Sequence, residues 1–322
     1  MPAHTALLIG SFDGVHRGHA ALVRHACERV GPSPAGRVTA LAFDPHPNVI
    51  LRPDRVPARL TTFDQRAAYL KRCGADEVVR LTPTADLLAL SPRQFITEIC
   101  NLHHPSIIVE GPDFHFGANR SGSPRTLTEL GREFGFDVDI VNPIEIDLDD
   151  QTIVRASSTL TRWLLAQGRV RDATRILARP YALAGIVVQG DRRGRELGFP
   201  TANIDTPCIL PADGVYAGFA VIPSGSSHPA AIHVGPRATF NSPQRTLEAH
   251  ILDWPDPSAH GITQEYNWPI TIELTAWIRD QSKCESAQAL IEQINRDIDR
   301  VRMVTASSAS HSHEPQICEV TS

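Results

Sequence analysis

Two histidines stand three residues apart in the stretch GSFDGVHRGH, which runs from Gly10 to His19 directly after the apolar run ALLI. Imidazoles at this spacing can bind a metal, form a satisfied pair in a core, or hold a phosphate. The predicted order of strand, glycine-rich turn and helix favours phosphate. Glycines let the backbone approach a ligand closely, and the free N–H groups and dipole of a helix N-terminus attract anions.

A second glycine-rich stretch, GDRRGRELGFPTANI, occupies residues 190–204 and is also basic. It has neither the Walker A spacing nor the Rossmann fingerprint, so those two phosphate-binding motifs are excluded. By composition alone the stretch is typical of a solvated β-hairpin. Composition therefore leaves its chemistry open.

The elements around the histidines alternate between short apolar strands and amphipathic helices. The strands are TALLIG, VTALAF, EVVRL, SIIVEG and DVDIV, and the helices are GHAALVRHACERV, TTFDQRAAYLKRCG, SPRQFITEICNL and a segment near TLTELGREFG. This alternation predicts right-handed βαβ units and a parallel sheet. Ligands bind such sheets at the carboxyl ends of the strands, which is where the histidines fall.

The second half of the chain has a different pattern from about residue 185 onwards. Strand-like runs ALAGIVVQG, GVYAGFAVI, AAIHVG, LEAHILDW and ITIELTAWI predict an antiparallel sheet or small barrel. A helix near ESAQALIEQINRDIDRVRM closes this half, and two helical stretches, SSTLTRWLLAQG and VRDATRILAR, lie between the halves. We predict one domain over residues 1–180, a second over 181–304, and a polar, disordered tail over 305–322.

Composition excludes several classes of protein. The chain has 322 residues, a net charge of −5 and no basic stripe, which disfavours a nucleic-acid-binding surface. No stretch approaches the roughly 20 apolar residues of a membrane span, and the N-terminus lacks the features of a signal peptide. Six cysteines are scattered without a CxxC pair, which indicates reduced thiols in a cytoplasm.

The motifs together resemble those of a known family. GSFDGVHRGH is similar to the HxGH signature of nucleotidyltransferases, in the form found in prokaryotic bifunctional riboflavin kinase/FAD synthetases. Further matches follow in family order: FDPHP (43–47), LTTFDQR (60–66), EGPDFHFGANRSG (110–122), ASSTLTRWLLAQG (156–168) and the flavokinase-like GDRRGRELGFPTAN. The resemblance covers nearly the whole chain except the tail. It implies a Rossmann-like α/β nucleotidyltransferase domain followed by an all-β flavokinase barrel with a C-terminal helix.

The resemblance implies that the first half transfers AMP from ATP to FMN, giving FAD and pyrophosphate. His16 and His19 would then be catalytic and hold the phosphates. The residue types also fit structural roles, since Ser157 can cap an ordinary helix, His46 can belong to a rigid turn and Asp113 can cap a turn. The implied ATP-binding residues are Gly10, Phe12, Gly14, His16, His19, Arg155, Ser157, Ser158, Thr159 and Arg162, and the implied FMN-side residues are His46, Asp113, Asn119 and Arg120.

For the second half, the resemblance implies phosphorylation of riboflavin to FMN by ATP. Glu248 would be the general base, although a glutamate in a strand can also simply face solvent. Thr201 and Asn203 would bind Mg²⁺ through hard oxygen atoms. The implied phosphate-binding residues of this half are Gly190, Gly194, Arg195, Gly198 and Pro200.

Several positions depart from the family pattern. Ser11 and His233 stand where asparagine is usual, Ala238 replaces a proline, His260 replaces a tyrosine and Cys284 a phenylalanine. Most of these lie in the second half, so they bear on the kinase more than on adenylylation.

Two other functional classes remain open from the sequence. One is a cytidylyltransferase for an alditol or lipid phosphate with a passive barrel, which a preference for CTP would reveal. The other is a non-catalytic flavin-binding relative, which would quench flavin fluorescence without turning over ATP. For the leading interpretation we expect riboflavin, FMN and ATP as partners, with no nucleic acid and no membrane. The oligomeric state is not predicted.

Overall fold

A computed structural model of the chain describes residues 4–31, 36–190, 194, 197–236, 245–254, 257–260, 262–282 and 285–309. Three residues singled out from the sequence, Arg195, Ala238 and Cys284, lie outside this described part. The described chain forms a parallel sheet flanked by helices, followed by a β-barrel. Both the α/β class of the first half and the barrel of the second are thereby confirmed.

The first half is built on a five-stranded parallel sheet with the order β3-β2-β1-β4-β5. Its central strands are buried along nearly their whole length, as is usual when helices cover both faces. The order reverses between β1 and β4, and ligands of such sheets bind at this point, beyond the carboxyl ends of the strands. The strands are β1 His4–Gly10, β2 Gly36–Phe43, β3 Glu77–Leu81, β4 Ile107–Glu110 and β5 Asp137–Ile140.

Local capping explains where the helices of this half begin. Thr62 and Ser91 each form a capping box with a glutamine three residues later, and Pro92 occupies a first-turn position. Two short helices and a hairpin were not predicted, because they are too short to show a period. The helices are α1 Arg17–Val30, α2 Asn48–Leu51, α3 Phe63–Arg72, α4 Ala85–Ala89, α5 Pro92–His103 and α6 Pro124–Phe134, and the hairpin pairs β6 Glu145–Asp147 with β7 Ile153–Arg155.

The second half is a closed barrel with the strand order β10-β11-β12-β9-β8-β13. Five of its strands coincide with predicted runs. The sixth, β9, was treated as part of a loop, because it has only four residues, of which only Ile204 is buried. The strands are β8 Tyr181–Val188, β9 Ala202–Asp205, β10 Gly214–Val221, β11 Ser227–Pro236, β12 Arg245–Ile251 and β13 Pro269–Arg279.

Helices α7 Ser158–Ala166 and α8 Val170–Leu177 connect the two halves, as predicted. Their apolar faces share one hydrophobic cluster with barrel strands, and Leu60 of the first half also belongs to it. Backbone hydrogen bonds join Ile209 N to Arg59 O at 2.7 Å and Ala212 N to Leu165 O at 2.8 Å. The halves therefore pack against each other, and the boundary at residue 180 stays a prediction.

Helix α9 Ala287–Ala309 packs against the outside of the barrel, with Val301 buried near Val215 and Ile278. It continues beyond residue 304 to Ala309, so the start of the segment expected to be disordered is helical. The physical reason is Thr305, which is buried and whose hydroxyl donates to Val301 O at 2.8 Å. Residues 310–322 lie outside the described part of the chain. None of the described helices is long and apolar enough to cross a membrane.

Candidate functional site

The turn between β1 and α1 positions the two histidines. Phe12, Gly14 and Val15 have φ angles of 46°, 84° and 41°, which fold the chain sharply at the end of the strand. At Gly14 a Cβ atom would lie 2.9 Å from Leu60 Cδ1, so the turn packs too closely for a larger residue. The turn ends at His16, which occupies the N-cap position of α1 without capping it through its side chain. The His16 side chain therefore does not cap the first N–H groups of α1.

His16 and His19 form a stacked pair. Their ring centroids lie 3.7 Å apart with an angle of 24° between the planes, and Phe12 meets the His19 ring edge-on at 5.3 Å. The Nδ1 atom of each histidine is buried and has no hydrogen-bond partner within the described residues. Buried polar atoms are nearly always paired, so two orphaned nitrogens side by side indicate a place for a ligand.

Both imidazoles are held in the neutral form. Burial lowers the pKa of His19 to about 3, with Arg66 and Arg179 adding to the effect. Burial, then His19, Arg179 and Arg162, lower the pKa of His16 well below its usual value, against an opposing contribution from Asp13. The arginines near the pair thus favour its neutral form.

Asp13 connects the turn to α7. Its carboxylate accepts hydrogen bonds from the backbone N–H groups of Leu60 and Thr61 and from the Thr61 hydroxyl, and it pairs with Arg162. The Ser158 hydroxyl donates to Asp13 O at 2.6 Å. Arg162, expected to hold phosphate, is therefore engaged by Asp13 and lies beside the turn.

A cavity of about 280 Å³ opens next to this turn. Its lining includes Ser11, Asp13 and His46, together with Asp44 and Arg66. Arg66 is buried and donates to Ser11 O at 2.6 Å, to Phe43 O at 2.9 Å and to Asp44 Oδ1 at 2.7 Å. His46 accepts from Asn48 N at 3.1 Å, which supports a turn role, and burial lowers its pKa.

The other residues expected in the first site are less tightly organised. Ser157 caps α7 by accepting from Leu160 N at 3.1 Å, which is the structural role considered from the sequence. Arg155 and Thr159 are exposed, and so are the three loop residues after β4. None of the five makes a hydrogen bond to the histidines within the described part of the chain. The loop residues are Asp113, Asn119 and Arg120, of which the last two have φ angles of 54° and 57°.

In the barrel, three polar residues lie side by side on neighbouring strands. Glu248 of β12 is paired in register with Asn203 of β9 on one side and with His233 of β11 on the other. Strand neighbours such as Leu247 and Ala249 are buried inside the barrel, so Glu248 lies on the outer face. Side chains opposite each other in antiparallel strands point to the same face, which places the three groups together.

Described residues of the glycine-rich stretch line a cavity of about 560 Å³ beside this row. Gly190, Pro200, Thr201 and Asn203 all line it, together with Trp254, Tyr266 and Trp268 on the far side. A Cβ atom on Gly190 would collide with the Asn203 amide, so the glycine makes this approach possible. Gly194 O accepts from Phe199 N at 2.7 Å, and Gly198 has a φ of 85°. The described residues of this stretch thus include part of the cavity wall and strand β9, while residues 191–193, 195 and 196, on which the solvated hairpin was expected, lie outside the described part of the chain.

Sequence reasoning missed three residues of the first site. Asp13 and Arg66 stand within quoted motifs, and their charged character in an apolar context was an available signal. Arg179 gave no such signal. It is buried, its guanidinium lies 3.7 Å from the Tyr69 ring centroid, and it donates to Gly14 O and Val15 O.

Comparison with known proteins agrees with a chain built from two different halves. Residues 1–157 match the family model described as FAD synthetase, and residues 177–305 match the one described as riboflavin kinase. The bifunctional riboflavin kinase/FMN adenylyltransferase of Escherichia coli (strain K12) is 34% identical over 90% of this chain and 90% of the relative. The one of Pseudomonas fluorescens is 33% identical over 94% of this chain and 93% of the relative.

A solved structure from Streptococcus pneumoniae, described as a macrolide-efflux protein, has a TM-score of 0.79 with this chain at 27% identity. It covers 94% of this chain and 95% of its own, so both halves and their connection are shared.

The fold and sites define a two-domain transferase that uses nucleotides in both halves. The chain belongs to the family of bifunctional riboflavin kinase/FMN adenylyltransferases. This confirms the family and the enzyme class expected from the motifs. Neither the cytidylyltransferase nor the non-catalytic alternative is favoured by any of these comparisons.

Proposed function

We propose that FMN is adenylylated at the His16–His19 turn and that riboflavin is phosphorylated beside Glu248. The observation that carries the first assignment is the pair of orphaned, buried Nδ1 atoms at a helix N-terminus. For the second, it is the position of Glu248 next to Asn203, which lines the larger cavity. The two sites lie in different halves, so each reaction has its own ATP.

In the adenylylation, a phosphate oxygen of FMN attacks the α-phosphorus of ATP and pyrophosphate leaves. The protein contributes positioning and charge stabilisation rather than covalent chemistry. His16 and His19 donate N–H groups to the phosphate oxygens, and the N–H groups at the start of α1 add to them. Because both imidazoles are neutral, they act as hydrogen-bond donors, and the positive charge comes from nearby arginines.

Further residues complete the first site in this proposal. Asp113, Asn119 and Arg120 follow β4, which is paired with β1, so their loop leaves the same edge of the sheet as the histidine turn. They contact FMN together with His46, which lines the smaller cavity. The ATP-binding set is Gly10, Phe12, Gly14, Arg155, Ser157, Ser158, Thr159 and Arg162, gathered around the β1–α1 turn and the N-terminus of α7.

In the kinase reaction, the riboflavin 5′-hydroxyl attacks the γ-phosphorus of ATP, its proton passes to Glu248, and ADP leaves. The segment from Gly190 to Pro200, with Gly194, Arg195 and Gly198, holds the phosphates. Thr201 and Asn203 fit a magnesium ion, because both offer oxygen atoms at the cavity wall. When bound, Mg²⁺ neutralises charge on the phosphates.

The same proposal includes the setting of the enzyme. Its partners are the small molecules riboflavin, FMN and ATP, without nucleic acid. The net charge of −5 supports this, because a nucleic-acid-binding protein needs a basic surface. We place the enzyme in the cytoplasm, where scattered cysteines stay reduced.

Separate inactivation of the two sites tests the assignment. Glu248→Gln removes the base with little change of shape, so riboflavin phosphorylation should stop while FMN adenylylation continues. The double variant His16→Ala/His19→Ala should show the reverse. Purified proteins would be incubated with ATP, Mg²⁺ and either riboflavin or FMN, and riboflavin, FMN and FAD separated by chromatography. Loss of both activities in either variant would contradict the division into two sites, and turnover of CTP in place of ATP would contradict the substrate.

A further inference from the structure

The carboxylate of Glu248 has no strong donor holding it in place. Its one hydrogen-bond contact in the described structure is the Thr246 hydroxyl, 3.4 Å from Oε1. The same hydroxyl lies 3.3 Å from Gly235 O, and a hydroxyl has a single proton to give. Both distances are long for an O–H donor. A general base normally needs a third group to orient it, so the site as described lacks one member.

His233 is the neighbour that can supply this donor. It lies opposite Glu248 in the β11–β12 register, and its strand neighbours Ile232 and Val234 are fully buried inside the barrel. His233 and Glu248 therefore share the outer face. Cβ atoms of such cross-strand pairs lie about 4.5 to 5.5 Å apart. The described structure has no hydrogen bond between the two side chains, and a change of side-chain rotamer brings the carboxylate to the imidazole.

The hydrogen bonds of Gln281 decide which nitrogen of His233 carries the proton. Gln281 Nε2 lies 3.1 Å from Val234 O and 2.7 Å from His233 Nε2. A carbonyl only accepts, so the Gln281 atom is the amide NH₂ group, and its second hydrogen points to His233 Nε2. That nitrogen must then be an acceptor, and a neutral imidazole in this state carries its proton on Nδ1.

The surroundings keep His233 in this neutral state. Burial lowers its pKa, and Arg279 at the end of β13 lowers it further, while Glu248 on β12 and Asp213 before β10 oppose the shift. Gly235 is needed for the arrangement, because a Cβ atom there would occupy the place of the Gln281 amide. The hydrogen bond from Gln281 to Nε2 thus fixes the tautomer of His233, and its Nδ1–H group remains available as a donor.

We propose that His233 is a positioning residue for riboflavin phosphorylation, whose Nδ1–H donates to the Glu248 carboxylate and orients it towards the substrate hydroxyl. This rests on the proposed role of Glu248 as the base. The proton of the riboflavin hydroxyl goes to Glu248, and His233 keeps its own proton throughout. Thr246 is then free to donate to Gly235 O.

The test compares His233→Ala, which removes the donor, with His233→Asn, whose amide restores one. For His233→Ala we expect kcat of riboflavin phosphorylation to fall about tenfold, the lower end for loss of an orienting hydrogen bond. KM for ATP, FMN adenylylation and Tm should stay near the wild-type values. His233→Asn should recover most of the rate, and Thr246→Val should cost less than His233→Ala.

The outcomes separate this inference from the proposed function. If His233→Ala keeps the wild-type kcat while Glu248→Gln is inactive, the positioning role is wrong and the base assignment stands. If Glu248→Gln still phosphorylates riboflavin, the base assignment itself is wrong, and the role of His233 falls with it. Equal losses of both activities in His233→Ala and His233→Asn would show an effect on folding and overturn the inference.

Discussion

Asp13 is the residue on which the first site is most dependent for its shape. Its buried carboxylate pairs with Arg162 and accepts from Leu60 N, Thr61 N and the Thr61 hydroxyl. An asparagine of the same size cannot neutralise Arg162, and its NH₂ group would face hydrogen-bond donors. Removing one partner of a buried pair leaves an uncompensated charge, which costs much more than the pair contributes.

We therefore expect Asp13→Asn to lower the free energy of unfolding by about 3 kcal/mol, measured by urea denaturation. Asp54→Asn is the matched control, because the Asp54 side chain is 76% exposed in its pair with Arg55. That variant should change the free energy of unfolding by less than about 0.5 kcal/mol. Equal losses in the two variants would mean that Asp13 is not the buried anchor described above.

The neutral histidine pair makes stability depend on pH. In the unfolded chain these imidazoles take up protons below their ordinary pKa of 6.5, whereas in the fold the pKa of His19 is lowered to about 3 and that of His16 is lowered too. Between these values the unfolded state binds more protons, so the free energy of unfolding falls as pH falls from 6.5 towards 3. Above pH 6.5 this contribution is fully present.

Urea unfolding of wild type and of His16→Gln/His19→Gln between pH 7 and pH 5 measures this effect. The double variant should lose less stability on acidification than the wild type, because it has removed the two groups that take up protons on unfolding. His115→Gln, at an exposed loop position, should follow the wild-type curve. Parallel curves for the double variant and the wild type would contradict the neutral pair.

At this scale the sequence named the candidate site residues but not the residues that support them. His16, His19, Thr201, Asn203 and Glu248 were all named from motifs. Their supports are identified by contacts between residues far apart in the chain, such as Arg179 with Gly14, and spacing along the sequence carries no information about those. His233 was noticed only as a departure from a pattern, and its register beside Glu248 supplies the physical reason to test it.

Among the elements, the glycine-rich segment before β9 shows how a backbone without side chains shapes a site. Gly190 comes so close to Asn203 that a methyl group would displace the amide. Gly190→Ala should therefore reduce riboflavin phosphorylation about 10- to 100-fold, the cost of misplacing a positioned group by about 1 Å. FMN adenylylation should be unchanged, and both reactions would be followed by chromatography of the flavins.

The control for this element is Gly225→Ala in the turn between β10 and β11. Gly225 has a φ of 85°, so alanine is strained there, yet nothing lies within 4 Å of its Cβ position. Both activities should persist in this variant. If Gly190→Ala phosphorylates riboflavin as well as Gly225→Ala does, the close approach to Asn203 has no functional importance.

Element prediction succeeded where burial imposes a long regular pattern. The strands of the parallel sheet and five barrel strands appear as apolar runs, because both faces or one entire face are covered. β9 and the β6–β7 hairpin are short and largely exposed, so their residues show no alternation. Their pairing is decided by neighbouring strands and turns rather than by their own composition.

For the molecule as a whole, the connecting helices α7 and α8 are important for stability because they pack against the barrel. Leu165 of α7 is fully buried in the cluster that contains barrel residues, and its carbonyl accepts from Ala212 N. Leu165→Ala should lower the free energy of unfolding by about 3 kcal/mol, as expected for a buried leucine in a core. Because the cluster is shared, thermal inactivation should move to lower temperature for both activities together.

Leu102→Ala on α5 is the control, since this leucine is 73% exposed. Leu102→Ala should not change the thermal inactivation curve of either activity. Inactivation of only the kinase in Leu165→Ala would show that the halves unfold independently. The sequence predicted two separate domains, and it could not reveal the shared cluster because an apolar helix face does not say which partner covers it.

Arg179 lies two residues before β8. Its guanidinium donates hydrogen bonds to the carbonyls of Gly14 and Val15 in the histidine turn. The link between the two halves is thus a structural part of the first half. If the two activities were divided between two chains at this link, Arg179 would have to remain with the adenylylating half. A related protein that has only the adenylylation activity should therefore still contain the residue that corresponds to Arg179.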